Sequence, residues 1–266
     1  MGSMTNKPQF KGTEEVINYD YGKITGDVAD EIQKSLLEAK VAGTDISLAD
    51  AGFAIRGKSG VDSGVLWGST PDIVMALWHY VPTKDFGFLP ATPQQWAKIF
   101  NTNPQFIKGK LLGDIQMIRN GFATESNGVW ADTLNRELAN LGYDKESVLA
   151  VSYQAVKPVF INVANGHLSQ QKLAGYTLTE KAKELIKVID WKEKCLKGFC
   201  YNKFDEERGV PVPDSGGSYK FYGLTSKTFS ALFVSGDLGA GGYRVFDDSG
   251  GGPRVVGWRT GEASSR

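Results

Sequence analysis

Apolar and polar positions along this 266-residue chain follow one rhythm at its ends and another in its middle. Over the first stretch, Phe10, Tyr19 and Tyr21 are scattered with no sustained period, which predicts an extended N-terminal arm over 1–24. Val28, Ile32, Leu36 and Ala39 then recur at helical spacing behind a cap residue, Asp27, and Gly43 is available to end the helix. From Thr44 to Ser69 the pattern breaks into short apolar pieces divided by Gly57, Gly60, Gly64 and Gly68, so 25–69 reads as a helix followed by short strands or loop.

The middle third writes three helix starts in the same way: Thr70-Pro71, Thr92-Pro93 and Asn103-Pro104. In each, a side-chain oxygen can accept from an orphan amide while proline takes the first helical position, where its missing N–H costs nothing. Thr92 and Gln95 also form a capping box, and Ala91 can staple against Trp96. The third of these helices is expected to run to about Gly121 with Ile107, Leu111, Ile115 and Ile118 buried, and a further stripe, Trp130, Leu134, Leu138 and Leu141, stops at Gly142. Residues 144–156 are read as helical, with a strand as the alternative after Pro158 because Val156, Val159, Ile161 and Val163 are β-branched. A second capping box, Thr177 with Glu180, precedes Leu178, Ala182, Leu185 and Ile189.

The pattern therefore predicts a mainly α protein (α+β): a helical core domain over 70–194, about six helices in all, with short β elements at both ends. After Cys195 glycines crowd together, and brief runs at 229–234, 243–246 and 255–258 predict short strands in a C-terminal segment, 195–266. So little apolar matter is expected to order against a partner more readily than alone.

Composition narrows the classes. Thirty basic residues balance thirty acidic ones, which argues against a surface that binds polyanions over its whole extent. No window approaches the roughly 20 uninterrupted apolar residues of a bilayer span, so no membrane is expected. Met1-Gly2-Ser3 reads as a remnant of expression ahead of a native Met4. Cys195 and Cys200, the two cysteines, fit a reducing compartment and are close enough in sequence to pair across a short loop. A cytoplasmic location, or one within an assembled particle, follows.

Candidate chemistry is sparse. His79 sits in an apolar helix and reads as structural; His167 follows the turn Asn165-Gly166, and neither has a partner at metal-ligand spacing. Neither a phosphate-cradling glycine loop nor a serine nucleophile elbow is found. No cofactor and no metal are expected. Arg56, a serine on a strand-like segment (Ser230, with Ser226 and Ser235 nearby) and a late Glu262 resemble the parts that mono-ADP-ribosyltransferases use to hold and cleave NAD. That resemblance implies a secreted effector or toxin enzyme, although the paired acidic motif around the glutamate is missing. The leading expectation is instead a non-enzymatic, assembly-forming protein of coat or nucleoprotein type, a homo-oligomer joined through its terminal arms. If it also encloses RNA or DNA, the groove residues are Lys98, Lys108, Lys110 and Arg119, with Trp96, Phe100 and Phe106 as stacking platforms.

Overall fold

The computed structural model describes residues 21–24, 26–52, 61–62, 65–66, 71–107, 114–120, 128–165, 168–191, 194–223, 229–234, 237–245 and 256–259. The first part of the chain forms β1 (Tyr21–Lys23), α1 (Gly26–Glu38), the short pair β2 (Val61–Asp62) and β3 (Val65–Leu66), α2 (Pro71–His79), β4 (Phe88–Pro90), α3 (Pro93–Thr102) and α4 (Pro104–Ile107). Then come β5 (Asp114–Asn120), α5 (Gly128–Asn140), β6 (Val148–Val151), β7 (Val156–Asn165), β8 (Leu168–Leu178), α6 (Ala182–Leu185), β9 (Ile186–Ile189) and α7 (Lys194–Lys197). The remainder is almost all strand: β10 (Phe199–Tyr201), β11 (Phe204–Asp205), β12 (Val210–Pro211), β13 (Tyr219–Tyr222), β14 (Phe229–Val234), β15 (Ala240–Val245) and β16 (Val256–Arg259).

Strands outnumber helices among the described residues, sixteen to seven α-helices, so the fold is a mixed α and β architecture and not the mainly α one that periodicity suggests. Its centre is a seven-stranded sheet in the order β10-β13-β15-β14-β5-β6-β9, antiparallel except where β13 runs parallel to β15. This sheet draws strands from both sides of residue 195.

Both faces of the sheet are covered, and β6 shows how. Leu149 and Val151 enter one core with α1, α2 and α5, whereas Val148 and Ala150 enter a second with α3 and the strands after residue 198. A strand buried on both sides has no polar alternation, so its run of apolar residues is indistinguishable from a buried helix by period alone. That is why residues 144–156 invite a helical reading yet supply β6; residues 114–120, expected within a helix running to about Gly121, form β5. The second capping box likewise does not start a long helix: Leu178 ends β8, Ala182–Leu185 makes one turn, and Ile186–Ile189 is β9.

Two local signals hold: the capping box at Thr92 and the glycine stop at Gly142. Thr92 accepts from the Gln95 amide and the Gln95 side chain accepts from the Thr92 amide, closing the box ahead of α3. At the end of α5, Gly142 (φ +89°) bonds back to Ala139 while Tyr143 bonds to Leu138, the paired hydrogen bonds of a Schellman stop. The strands expected at 229–234 and near 243 and 256 are β14, β15 and β16.

The ends of the chain meet. β16 lies between β1 and β4, pairing Tyr21 with Trp258 and Leu89 with Trp258 in a three-stranded sheet. Segments expected to seek a partner thus pair within the chain at 21–23 and 256–259; residues 1–20 and 260–266 lie outside the described residues.

The β11–β12 hairpin packs on the start of α3 so closely that a Cβ on Gly209 (φ +67°) would stand 2.4 Å from Pro93 Cβ. Gly209→Ala is expected to cost about 2–4 kcal/mol in urea denaturation, from the left-handed backbone plus overpacking. Gly43→Ala, also left-handed (φ +76°) but with nothing within 4 Å, is expected to cost only about 1–2 kcal/mol.

Candidate functional site

The longest paired element is the β7–β8 hairpin, ten residue pairs reaching about 33 Å. Its last pair is Asn165 with Leu168, and the two residues between them, Gly166 and His167, lie outside the described residues. The β-branched residues Val156, Val159, Ile161 and Val163, for which a strand was the alternative, lie on β7.

Three elements grip the base of the ribbon. From α2, the buried Asp72 accepts from the buried Tyr176 hydroxyl, and a ring nitrogen of His79 donates to the Val156 carbonyl over 2.8 Å. From α5, Glu137 accepts from the Leu178 amide at 2.7 Å through one carboxylate oxygen and from the Thr177 hydroxyl through the other. The Ala51 carbonyl accepts from the Leu173 amide at 2.7 Å. Thr177, expected to cap a helix, is therefore a tie between strand and helix. His79 matches its expected structural role, and desolvation lowers its pKa below the ordinary 6.5 despite the carbonyl it bonds.

Side-chain alternation gives the ribbon two different faces. Val156 and Pro158 are buried, and Phe160 packs against the first core. On the opposite face Lys157 and Ile161 are exposed, Ile161 by 50%, and Val159 and Val163 are half-buried. Cross-strand from this stripe stand Gly175, Lys172 and Gln170. Among the described residues no third strand flanks the ribbon. From Val159 to Gln171 the two strands carry no charged side chain.

The large sheet treats its edges differently. On β9, Arg208 Nε donates to the Val188 carbonyl at 3.1 Å and the Tyr143 hydroxyl reaches the Ile186 carbonyl at 3.5 Å. Both outward carbonyls of that strand are thus occupied by the protein itself. On β10 the Asp214 amide donates to the Cys200 carbonyl. A surface cavity of about 470 Å³ lies beside β9, with Val188, Trp191, Val210 and Pro213 along it and Asp205 and Arg208 in its wall. Burial pushes the Asp205 carboxyl up, but the Arg208 guanidinium at 2.7 Å and the amides of Arg208 and Glu207 outweigh it and hold the carboxyl below its usual range.

The residues singled out from sequence do not gather. Trp96 and Phe100 are 2% and 1% exposed, stacked on each other and in tilted contact with Phe204 and, for Phe100, Tyr201 in the second core, and Phe106 packs against the same core. Rings so placed are not stacking platforms; their helical spacing reported burial. Lys98 is exposed on α3, Arg119 sits on β5 between Leu149 and Phe229 in register, and Lys108 and Lys110 lie outside the described residues. Of the enzyme constellation, Ser230 is 1% exposed within β14, in register with Ile118 and Val245, and Arg56 and Glu262 lie outside the described residues, as does His167. Cys200 is an exposed free thiol.

Among the described residues no three His, Cys, Asp or Glu side chains cluster as a metal site, and no helix is long and apolar enough to cross a membrane. Compared with family models, curated proteins and solved structures, the chain matches none.

The lowered His79 pKa fixes a sign. Below the unfolded value of 6.5 the unfolded chain takes up a proton that the folded chain resists, so stability falls as pH drops from 6.5 toward the folded pKa and is unaffected by this group above it. Denaturation curves at about pH 7.5 and about pH 5.5 are expected to lose less stability for His79→Gln, whose amide still donates, than for the unsubstituted chain. Equal losses would mean that His79 carries no such linkage.

Proposed function

We propose that this protein is a non-catalytic, assembly-forming structural protein, and that copies join through the β7–β8 hairpin. One observation carries the reading: a ten-pair ribbon, gripped at its base by Asp72, His79 and Glu137, that has no charged side chain from Val159 to Gln171 and exposes Ile161 by 50%. Two-stranded ribbons are marginal in water by themselves, and uncharged strand edges invite pairing. Elsewhere the chain covers the edges of its large sheet with Arg208, Tyr143 and Asp214. A ribbon held rigidly at its base and exposing Ile161 on an uncharged stretch suits contact between subunits.

The joining role expected of the termini moves to this internal arm, since β1 and β16 pair within the chain. Nucleic acid is not part of the proposal, because Trp96 and Phe100 are committed to the core. An assembled particle is the setting this role implies.

Light scattering on a sizing column tests it. The full chain is expected to run as an oligomer. A variant with residues 161–172 replaced by Asn-Gly, so that the paired residues Phe160 and Leu173 flank a two-residue turn, is expected to run as a folded monomer. A monomeric full chain, or a shortened variant that still assembles, overturns the proposal.

A further inference from the structure

The two most exposed large apolar side chains among the described residues are Val188, at 52%, and Ile161, at 50%. Each stands in a charged setting, and the two settings have opposite sign.

Ile161 belongs to the exposed face of the ribbon. Its cross-strand partner is Lys172, with Cβ atoms about 5 Å apart, and Lys157 lies on the same face four residues back along β7, about 13 Å away. Both lysines are exposed, and no acidic residue occurs from Val156 to Leu178. The face therefore presents an apolar side chain beside two cations, on an arm whose base is tied to α2 and α5.

Val188 lines the cavity of about 470 Å³ beside β9, with Trp191 and Val210 as buried apolar wall. Its polar part is acidic. Asp190 and Asp205 line the cavity with Arg208, and Glu207 stands 3.8 Å from that guanidinium, so three carboxylates face one cation. Arg208 is itself engaged, donating to Asp205 at 2.7 Å and to the Val188 carbonyl at 3.1 Å. The cavity is poorly built to take a strand: the Val188 carbonyl is bound, and Pro211 and Pro213 in its wall have no N–H to offer. It suits side chains, and its volume falls among those of sites that enclose small apolar groups, about 300–1,000 Å³.

We propose, resting on the assembly reading above, that the ribbon of one copy docks its exposed face into this cavity of a second copy, Ile161 against Val188, with Lys172 and Lys157 meeting the acidic rim. A second copy is the occupant because the chain carries both halves of the contact, apolar side chains to be covered and charges of opposite sign beside them. Both side chains are exposed in the single chain, so the contact is not made within it. Each subunit offers one ribbon and one cavity, a contact between unlike surfaces that can repeat from copy to copy.

Complementation between two defective variants tests it. Ile161→Asp spoils the ribbon and leaves the cavity; Val188→Lys spoils the cavity and leaves the ribbon. Because both side chains are exposed, circular dichroism and melting are expected to match the unsubstituted chain, and each variant alone is expected to run as a monomer in light scattering. Mixed one to one, they are expected to give a particle of twice the monomer mass, since the intact ribbon of the Val188→Lys copy meets the intact cavity of the Ile161→Asp copy. An oligomer of either variant alone, or a mixture that stays monomeric while the unsubstituted chain assembles, overturns this contact and leaves the assembly reading standing. A full chain that is monomeric at every concentration overturns both.

Discussion

A strand at the rim of a sheet presents main-chain donors and acceptors that must be met by water, by the protein or by another chain. How this protein meets them organises most of its structure. The seven-stranded sheet has β9 and β10 as its rims, and at each the chain supplies its own partner: Arg208 and Tyr143 on β9, the Asp214 amide on β10. The three-stranded sheet uses the same solution at larger scale, drawing β16 between β1 and β4 so that sequence-distant segments satisfy each other. The hairpin is tied at its base by Asp72, His79 and Glu137 and exposes Ile161 further out, and that arrangement is the physical ground for the proposed assembly role.

Rigidity at the base matters as much as exposure at the tip. A ribbon of two strands has no face wide enough to hold itself straight, and here Tyr176 with Asp72, Val156 with His79, and Thr177 and Leu178 with Glu137 fix it to two helices. Those helices bury Ile73, Val74 and Leu77 on one side and Leu134 and Leu138 on the other in the core that β6 shares. The ribbon's direction is therefore set by the packing of the first core, and a contact at its tip would meet a preordered edge at a smaller entropic cost than a loose arm.

Signals of local chemistry were legible in the sequence, whereas those set by what lies above and below a strand were not. Thr92-Pro93 with Gln95 marks α3, Gly142 ends α5, and the C-terminal apolar runs mark β14, β15 and β16. Periodicity misleads at Val148–Val151 because that strand lies inside the large sheet with apolar residues on both faces. Aromatic residues mislead for the same reason: Trp96 and Phe100 sit beside lysine in sequence, but their neighbours in space are Tyr201 and Phe204. Asn165-Gly166 was legible as a turn, but the ties at Asp72, His79 and Glu137 span separations of 104, 77 and 41 residues and have no local signature.

Amide hydrogen exchange followed against protein concentration addresses the central claim most directly. Amides of the outer hairpin, residues 161–165 and 168–172, are expected to become more protected as concentration rises, while those of the three-stranded sheet exchange at one rate throughout. Exchange along the outer hairpin that is indifferent to concentration, or protection that rises equally on the three-stranded sheet, would contradict the account.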